Sequence, residues 1–170
     1  MRLVVSDLVE KAITFATKAH GDQKRKYTGE PYITHPIAVM EIVKTVPHTV
    51  EMLAAAVLHD VIEDTDQSYD DIYYYFGDIV ADLVQGLTDV SHPDDGNRQF
   101  RKALDRQYLA EQGADVQTIK LADMIHNTST TKDHDPEFWK IYQKEKIALL
   151  EVLTKGSKRL HAKATEMVAQ

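Results

Sequence analysis

The 170-residue chain contains no cysteine. Disulfides, thiolate-held zinc and cysteine-ligated iron–sulfur clusters are therefore excluded, and any metal must be held by nitrogen and oxygen donors. The N-terminus has no charged-then-apolar leader, and no apolar run approaches the ~18 residues a membrane helix needs, so the expectation is a cytoplasmic protein that does not engage a membrane. No segment alternates apolar and polar residues for long enough to suggest a sheet, and there is no internal repeat, low-complexity tract or linker. Basic residues are in the minority, with 20 Lys and Arg against 27 Asp and Glu and a net charge of −7. That balance argues against a broad nucleic-acid-binding surface, while leaving room for a small anion held by a local basic patch or a metal. What is present is ordinary globular material, 43% hydrophobic and 28% charged, enough for a real core.

The periodicity predicts helices throughout, hence an all-α fold in a single domain spanning 1–170, with its core at about 7–155 and a partly exposed helical tail at 156–170. Asp7 with Glu10 reads as a capping pair, after which Leu8, Ala12, Phe15, Ala16 and Ala19 recur at helical spacing up to His20. Gly21 to Pro31 is a loop holding Lys24, Arg25 and Lys26 beside Tyr27. Pro36, just after Thr34 and His35, sits where a helix should open, and Pro47 ends it. A central helix is predicted from about Thr49 to Glu63. Ser68 with Asp71 caps a short helix stopped by Gly77, and another runs over Ile79–Leu87. Ser91–Gly96 reads as an exposed loop. Helices follow over Asn97–Glu111, with a basic start, and over Val116–Asn127. Pro136 opens a long one punctuated by Gly156. Leu149, Leu150, Leu153 and Trp139 suit either a core or a dimer seam, so oligomeric state is not readable.

The chemistry concentrates in Ala54–Thr65, an apolar helical run carrying His59, Asp60, Glu63 and Asp64. Burying acids together is costly unless something positive compensates, and a divalent cation can take both carboxylate oxygen and neutral imidazole. His59 with Glu63 and Asp60 with Asp64 are i,i+4 pairs, so each pair would share a helix face. One helix cannot complete such a site. His35 and Asp123 are the further candidates, although His35 also suits a capping or surface role and Asp123 an ion pair with the basic helix. Together His35, His59, Asp60 and Asp123 would form a mixed nitrogen and oxygen set, suited to manganese, iron(II) or zinc better than to calcium.

Three stretches in order carry a resemblance: Gly29-Glu30-Pro31-Tyr32-Ile33-Thr34-His35-Pro36, then Leu58-His59-Asp60-Val61-Ile62-Glu63-Asp64-Thr65, then Lys120-Leu121-Ala122-Asp123 with His126-Asn127. From about Ala12 to Leu153 the chain resembles the HD-superfamily hydrolase domain of the Rel/SpoT alarmone enzymes, above all the small stand-alone alarmone hydrolases. The resemblance implies a helical HD-type bundle with one manganese ion on His35, His59, Asp60 and Asp123. It implies Glu63 and Asp64 as the groups that position or deprotonate the attacking water, with Asn127 near metal and ribose. The loop around Arg25 and Lys26 would meet a guanine nucleotide, and Asn97, Arg101 and Lys102 resemble a stretch that approaches the substrate phosphates. Met124 and Thr128 depart from the family, whose long members usually carry arginine and methionine there.

The expected activity is removal of pyrophosphate from the 3′ position of (p)ppGpp. Lys24, Arg25, Lys26 and Arg101 would offset the polyphosphate charge. The partner is then a small purine nucleotide, with no nucleic acid and no membrane. Rival readings are another HD phosphohydrolase activity, on a nucleotide or on the 2′-phosphate of NADPH, and a regulatory module that binds a nucleotide without cleaving it. Pocket residues around Tyr27, Arg25 and Arg101 would discriminate among substrates, because metal ligands cannot.

Overall fold

Ala54, Ala55 and Ala56 have no exposed surface at the middle of α3 (Val50–Leu58). Their small side chains let α1 (Arg2–His20), α2 (Thr34–Val43) and α6 (Asp78–Leu87) all pack against this one helix. The computed structural model describes residues 2–170, with side chains from residue 7 onward. Two compact units emerge, Met1–Thr88 and Asp89–Gln170. In the first, Val39, Val43, Val57 and Leu58 close the core around α3, each fully buried, and each such side chain contributes roughly 1.5–3 kcal/mol. The single-turn helix α4 (Val61–Asp64) lies against α1, and α5 (Tyr69–Phe76) pairs with α6. The capping box expected at Ser68 is formed: Asp71 N–H donates to Ser68 Oγ, and Ser68 N–H donates to Asp71 Oδ2 at 2.8 Å. Gly77, at φ 86°, ends α5 in a conformation that L side chains resist.

The second unit holds a 3₁₀ turn (Pro93–Asp95) and four helices: α7 (Arg98–Glu111), α8 (Ala114–His134), α9 (Pro136–Val152) and α10 (Lys158–Ala169). Leu149, Leu150 and Leu153 are buried and belong to its core. Asp105 is buried too, and accepts N–H bonds from Val90 and Ser91 at 3.0 and 2.9 Å, which ties down the segment leading into the 3₁₀ turn. The segment expected as a partly exposed helical tail is α10, which packs one face on α8 and α9 through buried Leu160, Ala164 and Val168 and leaves the other exposed.

The fold is all-α. Among the described residues the β pairing is confined to one isolated bridge, Lys24 with Pro31, and no helix is long and apolar enough to cross a membrane. Two local expectations are corrected. Asp7 is not a helix cap, since α1 already runs from Arg2. The central helix is not continuous from Thr49 to Glu63: it stops at Leu58 and resumes for one turn at Val61.

Candidate metal centre and nucleotide-binding surface

The break in the central helix is what makes the site. Asp60 has φ −101° and ψ −1°, outside the regular helical range, although the Asp64 amide still reaches its carbonyl at 3.0 Å. In an unbroken helix, adjacent side chains point about 100° apart. Here His59 Nε2 and Asp60 Oδ2 lie 3.0 Å apart. His35 enters from the first turn of α2, its Nε2 3.6 Å from the same oxygen, and the two imidazoles sit 5.1 Å apart at 70°. Both histidines are almost wholly buried, at 1% and 2% exposure.

The electrostatics of this trio point to a cation. His59 Nδ1–H donates to the Ala56 carbonyl at 2.6 Å, which fixes the tautomer and leaves the Nε2 lone pair facing the Asp60 carboxylate. A lone pair and a carboxylate oxygen at that distance repel unless a proton or a metal lies between them. Tyr32 O–H donates to Asp60 Oδ2 at 2.6 Å and orients it. The donor set is imidazole and carboxylate without thiolate, which fits a divalent cation.

Glu63 and Asp64 are on α4, both exposed. The single turn of α4 follows directly on the His59–Asp60 step, and the Asp64 amide keeps its i,i+4 bond to the Asp60 carbonyl. Asp64 Oδ2 accepts from Gln23 Nε2 at 3.1 Å, and Gln23 Oε1 accepts from His20 Nδ1 at 2.9 Å. The His20 ring packs 4.6 Å from that of Tyr32. The loop between α1 and α2 is closed on itself by Arg25 N–H to Glu30 O and Gly29 N–H to Arg25 O, with Gly29 at φ 71°. Within it Lys24 and Lys26 are exposed, and Arg25 and Tyr27 are half-buried. The Arg25 guanidinium lies 5.7 Å over the Tyr32 ring, and Lys26 5.1 Å over that of Tyr27.

In the second unit Asp123 is buried on α8 with both oxygens engaged, by Lys120 Nζ at 2.9 Å and by Asn127 Nδ2 at 2.8 Å. Its ion pair is therefore within its own helix rather than with the basic helix. Asn97 caps α7, its Oδ1 accepting the Phe100 amide at 2.9 Å, so that oxygen already serves the backbone. Lys102 sits 3.5 Å from Asp89, and the Nε of Arg101 is buried without a hydrogen-bond partner among the described residues. Met124 and Thr128, the departures from the family pattern, are both buried; the Thr128 hydroxyl is 3.1 Å from that of Tyr142, whose pKa is driven up by burial. Burial, reinforced by Lys120, pushes the Lys146 ammonium down to about 8.

A family model described as the HD domain matches residues 12–150. The chain belongs to the HD domain family. Among curated proteins, this HD domain is 40% identical over 134 residues to a probable guanosine-3′,5′-bis(diphosphate) 3′-pyrophosphohydrolase of Synechocystis, which covers 76% of the chain and 17% of the relative. It is 38% identical over 132 residues to the bifunctional (p)ppGpp synthase/hydrolase SpoT of Escherichia coli, covering 76% of the chain and 19% of the relative. The chain thus spans less than a fifth of the length of these curated relatives. A solved structure described as a metazoan ortholog of SpoT that hydrolyses ppGpp and plays a role in starvation responses superposes with a TM-score of 0.85 at 30% identity, covering 96% of this chain and 94% of that one. A Listeria monocytogenes structure at 22% identity, with a TM-score of 0.66 over 79% of this chain and 95% of that one, shares the fold.

Sequence reasoning about this HD domain missed three residues that touch the site: His20, Gln23 and Tyr32. For His20 a signal existed, since Ala12, Ala16 and His20 continue one buried helical stripe. An imidazole at the end of such a stripe needs a polar partner. Gln23 and Tyr32 carried no comparable signal, because a loop has no periodicity to read.

Proposed function

We propose that the chain is a metal-dependent phosphohydrolase acting on (p)ppGpp, releasing pyrophosphate from the 3′ position and leaving GDP or GTP. The observation that carries this reading is the His35, His59 and Asp60 trio, with the His59 tautomer locked by Ala56 so that lone pair and carboxylate converge. The described ppGpp hydrolysis by the metazoan protein, similar over nearly its whole length, supports the choice of substrate.

His35, His59 and Asp60 would hold the ion and Asp123 would complete its protein ligands; manganese is the proposed metal, with iron(II) and zinc as alternatives. When bound, a divalent cation neutralises phosphoryl oxygens and acidifies water. Glu63 accepts a proton from the attacking water, and Asp64, held by Gln23, orients that water. Water adds to the phosphorus on O3′, the O3′–P bond breaks, and the proton returns to the ribose oxygen. Asn127 keeps Asp123 in place and approaches the ribose. Arg25, already over the Tyr32 ring, has the planar surface a purine stacks on. Lys24, Lys26 and Tyr27 flank it, and Asn97, Arg101 and Lys102 approach the phosphates.

The test is turnover by the purified, manganese-loaded chain of ppGpp, NADPH and nucleoside triphosphates in parallel. Equimolar GDP and pyrophosphate from ppGpp is the expected result. Cleavage confined to NADPH or a triphosphate would replace the substrate, and binding of ppGpp without cleavage would make the chain a regulatory module. Glu63→Gln should keep the metal and lose about 10²-fold or more in kcat; normal turnover by that variant removes Glu63 from the mechanism.

A further inference from the structure

In the second unit, α7 and α9 enclose an open groove of about 590 Å³ that the reaction above leaves largely unused. Its wall is of two kinds. Ala103, Ile141 and Ala148 make an apolar floor, and Arg98, Lys102, Arg106 and Lys144 rim it with positive charge. The groove's carboxylate, Glu145, is gripped by Arg98 through a two-pronged ion pair at 2.7 and 3.0 Å, and Lys102 is paired with Asp89 at 3.5 Å, so Arg98 and Lys102 are already partnered. Among the described residues, Arg106 and Lys144 make no ion pair. A smaller cavity of about 40 Å³ shares Lys102, Arg106 and Glu145 and adds Lys120 and Lys146 together with the carboxylates Asp89 and Asp105, so charge is balanced inside and the unpaired cations are those of the rim.

Two cations, Arg106 and Lys144, that face an apolar floor of ligand-sized volume in a chain of net charge −7 favour one chemical class: an anion with a flat or greasy body. We propose that this groove binds a nucleoside di- or triphosphate, its base or ribose on Ile141, Ala103 and Ala148 and its phosphates between Arg106 and Lys144. A carboxylate or sulfate metabolite would use the rim but not the floor. The phosphates could belong to the substrate of the proposed reaction, entering by its 5′ end, or to a separate nucleotide. The second case rests on no assumption about catalysis.

The experiment titrates GDP into the full-length chain, following heat and the amide resonances of Ala103 and Ala148. Saturable binding that shifts both amides is expected, weakened about tenfold or more in the Arg106→Ala/Lys144→Ala pair and preserved in Lys144→Arg, as for phosphate-directed charge. Arg106 and Lys144 are rim residues, so the pair should fold; a circular-dichroism melt verifies this. Unchanged GDP affinity in the pair, or binding that leaves both amides still, would overturn the proposal. The source follows from kinetics on the same variants. A matching rise in KM for ppGpp assigns the groove to the substrate, whereas an unchanged KM with lost GDP binding assigns it to a separate nucleotide. Because GDP binding needs no turnover, a chain that hydrolyses nothing would defeat the proposed reaction and leave this test intact.

Discussion

At the scale of single residues, the site depends on which atom carries each proton. His59 gives its Nδ1–H to Ala56, and Tyr32 gives its hydroxyl proton to Asp60 at 2.6 Å, so the proposed ligand atoms are oriented by the protein itself. Tyr32→Phe removes that donor while keeping the ring packed against His20. The expected outcome is a metal affinity about 10–100-fold lower, the usual cost of losing a hydrogen bond to a ligand, with an unchanged melting temperature in the metal-free protein. Metal titration by calorimetry checks the first part and thermal melting the second; equal affinities would show that Asp60 needs no such support. His59 and Asp60 stood out from residue type and order, because an acid next to a histidine in a greasy run demands explanation, whereas His35 joined them through the family resemblance. Tyr32 and Gln23 were not legible as site residues. Their roles arise from a loop closing back on itself through Gly29, and such closure leaves no repeating pattern in a sequence.

At the scale of elements, termini and close approaches decide more than propensity does. The cap at Ser68 was readable because serine followed three residues later by an acid has one common use. The Ser68 hydroxyl, then the Ser68 amide, hold the Asp71 carboxyl below its usual value. The sign follows from linkage: a carboxylate whose pKa is depressed in the folded state adds stability above its unfolded pKa of about 3.9, and that stability is lost as pH falls through the lowered folded value. Wild type should therefore melt above Asp71→Asn at neutral pH, with the gap closing below roughly pH 4, where the carboxyl takes up its proton. A gap independent of pH would point to packing instead. Gly156 is a subtler case. In the sequence it reads as punctuation, but a Cβ there would lie 2.8 Å from Leu121 Cδ1 and 3.0 Å from the Gln117 carbonyl carbon on α8. Gly156→Ala must push backbone against backbone, so it should cost about 1–3 kcal/mol in urea melts; a neutral result would mean that α10 can slide on α8. The break at His59–Asp60 escaped the sequence for a related reason. His, Asp, Val and Ile are only mildly unfavourable in a helix and neither glycine nor proline stands among them, so the break at Asp60 has no strong local signal.

At the scale of the molecule, the all-α architecture was legible from the absence of alternation, whereas the division at Thr88 and Asp89 was not, since the polar Ser91–Gly96 stretch beside it reads like any short loop between two helices of one unit. Charge offers a global test of the site. In the first unit the Asp60 carboxylate faces the ring nitrogens of two buried histidines, an arrangement that without an ion must either take up protons or tolerate repulsion. A ligand that binds only the folded state stabilises it by RT ln(1 + [L]/Kd), about 2.7 kcal/mol at a hundredfold excess over Kd. Manganese at that excess should therefore raise the melting temperature of the whole chain by several degrees, and chelator should reverse the gain. In Asp60→Ala the manganese-dependent increment should vanish along with turnover. Its metal-free melting temperature should equal or exceed the wild-type value, because the variant no longer holds an uncompensated carboxylate against two imidazoles. A manganese increment that survived in Asp60→Ala would show that other residues hold the ion and would remove Asp60 from the proposed ligand set.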